Sequence, residues 1–251
     1  MIAELERVYG RLKSFLPSPV REALGWINQT FFARRTLKRK YGEWFEVDWR
    51  KKFRDLSDSE WRNAYDEAWK NRTNDCLEET DADLILRSLG STGSVLDVGC
   101  GAGALAVRLA GEGFRVTGLD VSAEALRLAK ERSKAMGAAV DWKVGFAEHL
   151  PVPKKSVDYI TCCHTLEHVR DLSAAVREFH RVARKRIVVL VPKQGFKMYM
   201  DNYHTQFFDT EEKLAAAMGF SDYTCKEIDC SDHRHEFKGK AFLFVGELPR
   251  P

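Results

Sequence analysis

The stretch Val95-Leu-Asp-Val-Gly-Cys-Gly-Ala-Gly-Ala-Leu-Ala106 decides the fold of this chain. An apolar strand runs into three alternating glycines, Gly99, Gly101 and Gly103, and then into a helix-forming run. Glycine takes positive φ at little cost and lets a backbone approach a ligand closely. A glycine turn at the C-terminal end of a first strand is where open α/β sheets bind nucleotides.

The glycines alone do not choose the nucleotide, because Gly99, Gly101 and Ala104 also satisfy a dinucleotide pattern. Two carboxylates tilt the choice. Asp97 sits at the strand end, where it would repel a pyrophosphate but suit the ammonium group of an amino-acid-bearing cofactor. Val116-Thr-Gly-Leu-Asp120 ends the next strand on a carboxylate placed to accept both hydroxyls of an adenosine ribose.

Outward from the loop, β-rich runs at 94–98, 115–119, 140–145, 157–163 and 186–192 alternate with helical stretches at 102–112, 123–136 and 172–184. Such alternation predicts a parallel sheet covered by helices on both faces. Runs 223–229 and 240–245 have no helix between them and predict a closing antiparallel hairpin. The expected fold is thus α/β, a seven-stranded, mostly parallel, doubly wound sheet with an antiparallel last strand.

With these motifs in order, the region from 80 to 248 resembles the class I S-adenosylmethionine-dependent methyltransferases. It is nearest to the group that includes the ubiquinone-biosynthesis O-methyltransferases. VLDVGCGAG is similar to their first motif, which implies cofactor contacts at Asp97, Gly99, Cys100, Gly101 and Gly103. GLDVS resembles the second and implies Asp120 and Val121. Phe146-Ala-Glu-His-Leu-Pro151 resembles the adenine-side segment, with Phe146 and the Ala147 amide as contacts; many relatives carry Asp where Phe146 stands. Cys163 ends the fourth strand beside the cofactor. Trp69 and Arg72 stand where relatives close an aromatic and an arginine over the methionine carboxylate.

A sulfonium methyl is electrophilic without help, so the protein must position a nucleophile and exclude water, adding a base only when the acceptor is protonated. His164, by the same analogy, faces the methyl position, as base, acceptor contact, metal ligand or plain cofactor-lining residue. His204, in Asp201-Asn-Tyr-His-Thr-Gln-Phe-Phe208, lies where relatives place acceptor-binding residues. His164-Thr-Leu-Glu167-His168 resembles the Glu-x-x-Glu-His stretch that binds a divalent cation in the ubiquinone-biosynthesis enzymes. That implies His164, Glu167 and His168 as ligands, with the imidazole shifting preference from magnesium towards a first-row transition metal. The bland alternative is a local cap at Glu167 and a packed His168. His233 and His235 near Cys230 have poor spacing for zinc.

The first 55 residues differ from the rest. They hold 13 Lys+Arg against 7 Asp+Glu in a chain whose net charge is +3, and 10 of its 28 aromatics. Ile2, Leu5, Tyr9, Leu12 and Leu16 recur at helical spacing. Val20, Leu24, Ile27 and Phe31 do so again after Ser18 as N-cap and Pro19 at the first helical position. Arg34, Arg35, Lys38, Arg39 and Lys40 follow. Ser57 and Glu60 have capping-box spacing ahead of a helix with Trp61, Tyr65 and Trp69 on one face. Residues 1–78 are read as a helical, basic, aromatic-rich extension, and 79–251 as the cofactor-binding domain. The apolar stripes of residues 1–40 are expected to pack on the domain, in a dimer or on a membrane surface.

Composition is ordinary for a globular chain, at 44% hydrophobic and 31% charged. No apolar run approaches a spanning helix, no secretory signal is evident, and six scattered cysteines suit a reducing compartment. A cytoplasmic enzyme, peripheral at most to a membrane, is expected. The expected acceptor is an O, N or C atom of a small molecule, lipid-linked intermediate or glycan. A protein or RNA methyltransferase guided by the basic segment is the first alternative. The usual base-amino motif is missing after the fourth strand, which lowers nucleic acid as a partner. A catalytically idle relative is the second alternative.

Overall fold

The computed structural model describes residues 16–43, 45–71, 77, 79–230 and 239–249. The expectations for residues 1–15, Arg72, His233 and His235 lie outside the described residues. The chain divides into two compact units, residues 1–51 with 197–203, and residues 52–196 with 204–251. The division falls at 51/52, whereas the sequence reading drew it at 78/79; the helix opened by the Ser57 capping box belongs to the sheet unit.

That unit is a seven-stranded sheet. Its strands are β1 (Ser94–Val98), β2 (Arg115–Asp120), β3 (Val140–Val144), β4 (Val157–Cys163), β5 (Ala183–Pro192), β6 (Tyr223–Asp229) and β7 (Lys240–Glu247), in spatial order β3-β2-β1-β4-β5-β7-β6. Neighbours through β5 are parallel, and β7 runs antiparallel to both β5 and β6. The order reverses between β1 and β4, so their C-terminal ends open the crevice in which such sheets hold ligands.

Period-two alternation feeds both faces. In β5, Ile187, Val189 and Val191 join one buried cluster with Phe179, Leu214, Met218 and Phe244, while Val188 and Leu190 join another with Ile85, Leu105 and Leu109. The covering helices are α4 (Asp58–Lys70), α5 (Glu79–Ser88), α6 (Ala104–Gly111), α7 (Ala123–Met136), α8 (Leu172–Val182) and α9 (Glu211–Met218); α1 to α3 precede them in the other unit.

Local chemistry sets the boundaries. The Ser57 hydroxyl accepts from the Glu60 N–H at 3.3 Å while Glu60 Oε2 accepts from the Ser57 N–H at 2.8 Å, the expected capping box. Helix α6 starts at Ala104, two residues later than its expected start, because Gly103 at φ 80° is left-handed. Helix α8 stops at Val182, where Ala183 begins pairing with Val157 of β4. Glu167 and His168 lie in a single 3-10 turn, Leu166–His168.

In the N-terminal unit, α1 (Ser18–Ile27) runs through a wide π-turn at Asn28–Phe32 into α2 (Ala33–Tyr41), and α3 is Trp49–Lys52. Helix α1 includes Ser18, with Pro17 as its N-cap, one residue earlier than its expected start. Gln29 exchanges two hydrogen bonds with the Tyr199 backbone at 3.1 and 2.9 Å. The Trp49 indole, 1% exposed, donates to the Tyr203 carbonyl at 2.9 Å. Both fasten the 197–203 segment to the helices. Among the described residues, no helix is long and apolar enough to cross a membrane.

Candidate functional site

The glycine loop is folded by its own backbone. Gly99 and Gly101 take φ of 70° and 53°, in the left-handed region where L side chains are strained. The N–H groups of Gly99 and Cys100 donate to the Leu119 carbonyl at 2.7 and 3.0 Å, which ties the loop to the end of β2. A side chain at Gly101 would stand 2.8 Å from the Trp69 indole, so α4 lays its last aromatic directly on the loop. At Gly99 the close neighbour would be Thr165.

Asp97 and Asp120 stand at the ends of adjacent strands, 2% and 6% exposed. Asp97 Oδ1 accepts from the Thr161 hydroxyl at 2.8 Å across the β1–β4 register. The Asp120 carboxylate accepts from the Gly101 N–H through Oδ2 and from the Ser122 N–H through Oδ1, both at 2.8 Å. Asp120 therefore shapes the loop as well as offering lone pairs to a ligand. Asp66 of α4 accepts from the Ser122 hydroxyl at 2.5 Å and the Glu124 N–H at 3.1 Å. A cavity of about 700 Å³ beside this corner is lined by Asp58, Arg62, Asn63, Asp66, Val121 and Val144, among others. Phe146, half-buried, carries the guanidinium groups of Arg62 and Arg170 each 5.0 Å from its ring centre. Ala147 beside it is buried.

The second half is built from side chains. His164, one residue past β4, holds φ 49°, uncommon for a residue with a Cβ. Its N–H donates to the Leu190 carbonyl at 2.8 Å. Its Nε2 lies 3.7 Å from Asp81 Oδ2 and its Nδ1 lies 3.5 Å from Glu167 Oε1. Asp81 and Glu167 are each 1% exposed. Both Glu167 oxygens are buried and, among the described residues, accept no hydrogen bond. The Glu167 carbonyl accepts from the N–H groups of Thr205 and Gln206 at 2.8 and 3.0 Å, which places His204 beside the 3-10 turn. His168 and His204 meet edge to face at 4.7 Å. Single ligand atoms of Glu167, His168 and His204 all lie within 4.8 Å of one another. His168 Nδ1 is 3.1 Å from the Tyr65 hydroxyl, and His204 Nδ1 is 2.6 Å from Gln194 Oε1. Each Nδ1 contact orients its ring, the usual support of a metal-bound imidazole, and leaves its Nε2 clear of that bond.

The structure thus joins the expected loop residues with Asp120 and Val121, and gathers His164, His168 and His204 around the Glu167 carboxylate. In the ligand group His204 stands with Glu167 and His168, while His164 turns to Asp81. Sequence reasoning missed Asp81, Asp66 and Arg62, which reach the site from α4 and α5 with no motif around them. Thr161 was legible in principle, since it faces the same way as Asp97 in a neighbouring parallel strand. Cys162, fully buried behind the site, has its thiol pushed well above the usual range by burial and by the charges of Glu167 and Asp97, and stays an inert thiol.

Residues 96–191 match the family described as "Methyltransferase domain". In that region the chain is similar to the class I S-adenosylmethionine-dependent methyltransferases. Among curated proteins it is 42% identical over 156 residues to a ubiquinone biosynthesis O-methyltransferase of Serratia proteamaculans, covering 62% of this chain and 58% of that one. A protein of the same name from Xanthomonas euvesicatoria is 40% identical over 155 residues, 61% and 58% of the two chains. The chain therefore spans less than two-thirds of those relatives' length. Among solved structures, a SAM-dependent methyltransferase from Methanosarcina mazei superposes with a TM-score of 0.55 at 21% identity, covering 67% of this chain and 98% of that one. One from Aquifex aeolicus gives 0.54 at 18% identity, 77% and 100% of the chains. At these identities the structures show the shared fold.

Proposed function

We propose that the chain is an S-adenosylmethionine-dependent O-methyltransferase that acts on a hydroxyl of a small molecule, free or lipid-linked. The observation that carries the reading is the pair of buried carboxylates, Asp97 and Asp120, flanking a left-handed glycine loop whose backbone is fixed by Leu119 and Asp120 itself. Asp97 suits the ammonium end of the cofactor, Asp120 its ribose hydroxyls, and Val121 with Phe146 and Ala147 the adenine side. When bound, the cofactor supplies a methyl group activated by its sulfonium.

The protein's own part is on the acceptor. His164, its ring held between two buried carboxylates, is the candidate to take the hydroxyl proton as the oxygen gains its methyl. Glu167, His168 and His204 offer a carboxylate and two imidazoles, and the Glu167 oxygens lack hydrogen-bond donors, so the set fits a divalent first-row cation. A cation there would orient the acceptor oxygen and lower its pKa.

The test is calorimetric titration with S-adenosylhomocysteine, then methyl transfer from labelled cofactor to catechol as a simple hydroxyl probe. Micromolar binding and labelled product are expected; absence of binding overturns the reading.

A further inference from the structure

The N-terminal unit carries a cluster of exposed large apolar side chains. Trp26 and Phe31 are 65% and 64% exposed, and Val20, Ile27 and Phe32 are exposed beside them. Trp26 packs edge-on to Phe31 at 6.3 Å, so the two largest rings form one protruding ridge. Opposite, Gln29 and Ala33 turn inward, where Gln29 holds Tyr199 and Ala33 is buried. Helices α1 and α2 therefore have one face packed within their unit and one large apolar face towards solvent.

The cations sort themselves by the same geometry. Arg34 is held by Asp48 in a two-point pair at 2.8 and 2.5 Å, and Lys40 lies 3.6 Å from Asp201. Arg35 and Arg39 are exposed and pair with no carboxylate among the described residues, and Lys38 is exposed with them. Ile27, Phe31, Arg35 and Arg39 follow one another four residues apart. Along one side of the α1–α2 rod, an apolar ridge thus runs directly into a cationic end.

We infer that this face docks on an anionic lipid surface, with Trp26, Ile27 and Phe31 at the acyl boundary and Arg35, Lys38 and Arg39 at the headgroups. A protein partner of ordinary apolar character would explain the ridge but not the three cations continuing it. An anionic bilayer accounts for both, since apolar burial and headgroup attraction add. The inference is independent of methyl transfer. It concerns the N-terminal unit alone.

The test is co-sedimentation of the full-length protein with phosphatidylcholine vesicles, with and without phosphatidylglycerol. The protein is expected to pellet with the anionic vesicles at low salt and to be released by high salt. Each surface cation contributes roughly fivefold, so R35Q/K38Q/R39Q should bind about 100-fold more weakly. W26E/F31E should not pellet at all. Both variants should keep the parent Tm and its affinity for S-adenosylhomocysteine, which separates failure here from failure of the proposed activity. Full-length protein that stays in the supernatant with both vesicle types overturns the inference. So does a lowered Tm in W26E/F31E, which would mean that the chain itself covers the ridge. Conversion of a dimer to a monomer by W26E/F31E in analytical ultracentrifugation, without vesicle binding by the parent, overturns it in favour of a second copy.

Discussion

The two halves of the site are made in different ways. The glycine-loop half is nearly all backbone: twelve consecutive residues from Val95 to Ala106 supply strand, turn and helix start, and Leu119 and Asp120 of the next strand lock the turn. The imidazole half is nearly all side chain. It takes Asp81 from α5, His164 from beyond β4, Glu167 and His168 from a 3-10 turn, and His204 from a loop forty residues later. Backbone sites need particular φ values and no bulk, so they tolerate little change. Side-chain sites are gathered by packing, so their members can be exchanged one at a time.

The largest expected effect follows from the backbone half. Gly101→Val places a branched side chain at φ 53° and against the Trp69 ring. Binding of S-adenosylhomocysteine should fall by more than about 100-fold, since strain and overpacking together cost roughly 3 kcal/mol or more. Asp120→Ala comes next. It removes charge-assisted bonds worth about 1.5–3 kcal/mol, a loss of roughly 10- to 100-fold in affinity. Because Asp120 also holds the Gly101 and Ser122 N–H groups, the substitution should lower Tm as well, and Asp120→Asn should fall between the two on both readouts. Unchanged affinity in Asp120→Ala, measured by calorimetry, would remove the ribose role.

These contrasts explain what the sequence made legible. The bounds of β1, β4 and β6 were readable to the residue, because each is a β-forming run set off from its neighbours in the sequence. Asp97 and Asp120 were readable because each ends a strand beside a motif. Asp81 was not, since an acidic residue in the first turn of an amphipathic helix looks like an ordinary dipole partner until the fold buries it. The π-turn at Asn28–Phe32 carries no local signal at all. His204 was flagged from its loop, but its contact with His168 depends on two backbone hydrogen bonds to Glu167 that no spacing rule contains.

A sharper comparison uses the two ends of β4. At its start Asp158 has settled chemistry. Burial works to raise its pKa, yet the Ser94 N–H at 3.0 Å, its hydroxyl at 3.1 Å, Lys185 at 3.1 Å and Arg184 at 3.2 Å bring it down to about 2 from an ordinary 3.8. A depressed carboxylate contributes stability that is present above its unfolded pKa and lost as pH falls through the folded one. About 2 kcal/mol should therefore disappear between pH 3.8 and about 2. Urea titrations across that window should show it, and Asp158→Asn should flatten that part of the profile and leave affinity for the cofactor product alone.

The smallest effect tests the other end of β4. Asp81 touches no ligand in the proposed reading; it is a positioning residue, 3.7 Å from His164 Nε2 and approached on its other oxygen by the Cys230 thiol at 3.6 Å. Asp81→Asn keeps the size and removes the charge. If His164 takes the acceptor proton, kcat with catechol should drop roughly tenfold, the usual scale for an orienting partner. Affinity for S-adenosylhomocysteine should stay within about twofold, because no bond of the glycine loop runs through Asp81. A merely structural Asp81 predicts the reverse: lower Tm and weaker cofactor-product binding, with kcat intact at saturation. Asp81→Glu adds a further check. It restores the charge on a longer arm, so it should recover part of kcat in the first case and none of the Tm in the second. The imidazole half would then be distinguished from the backbone half by function as well as by construction, one tuning the acceptor and the other holding the donor.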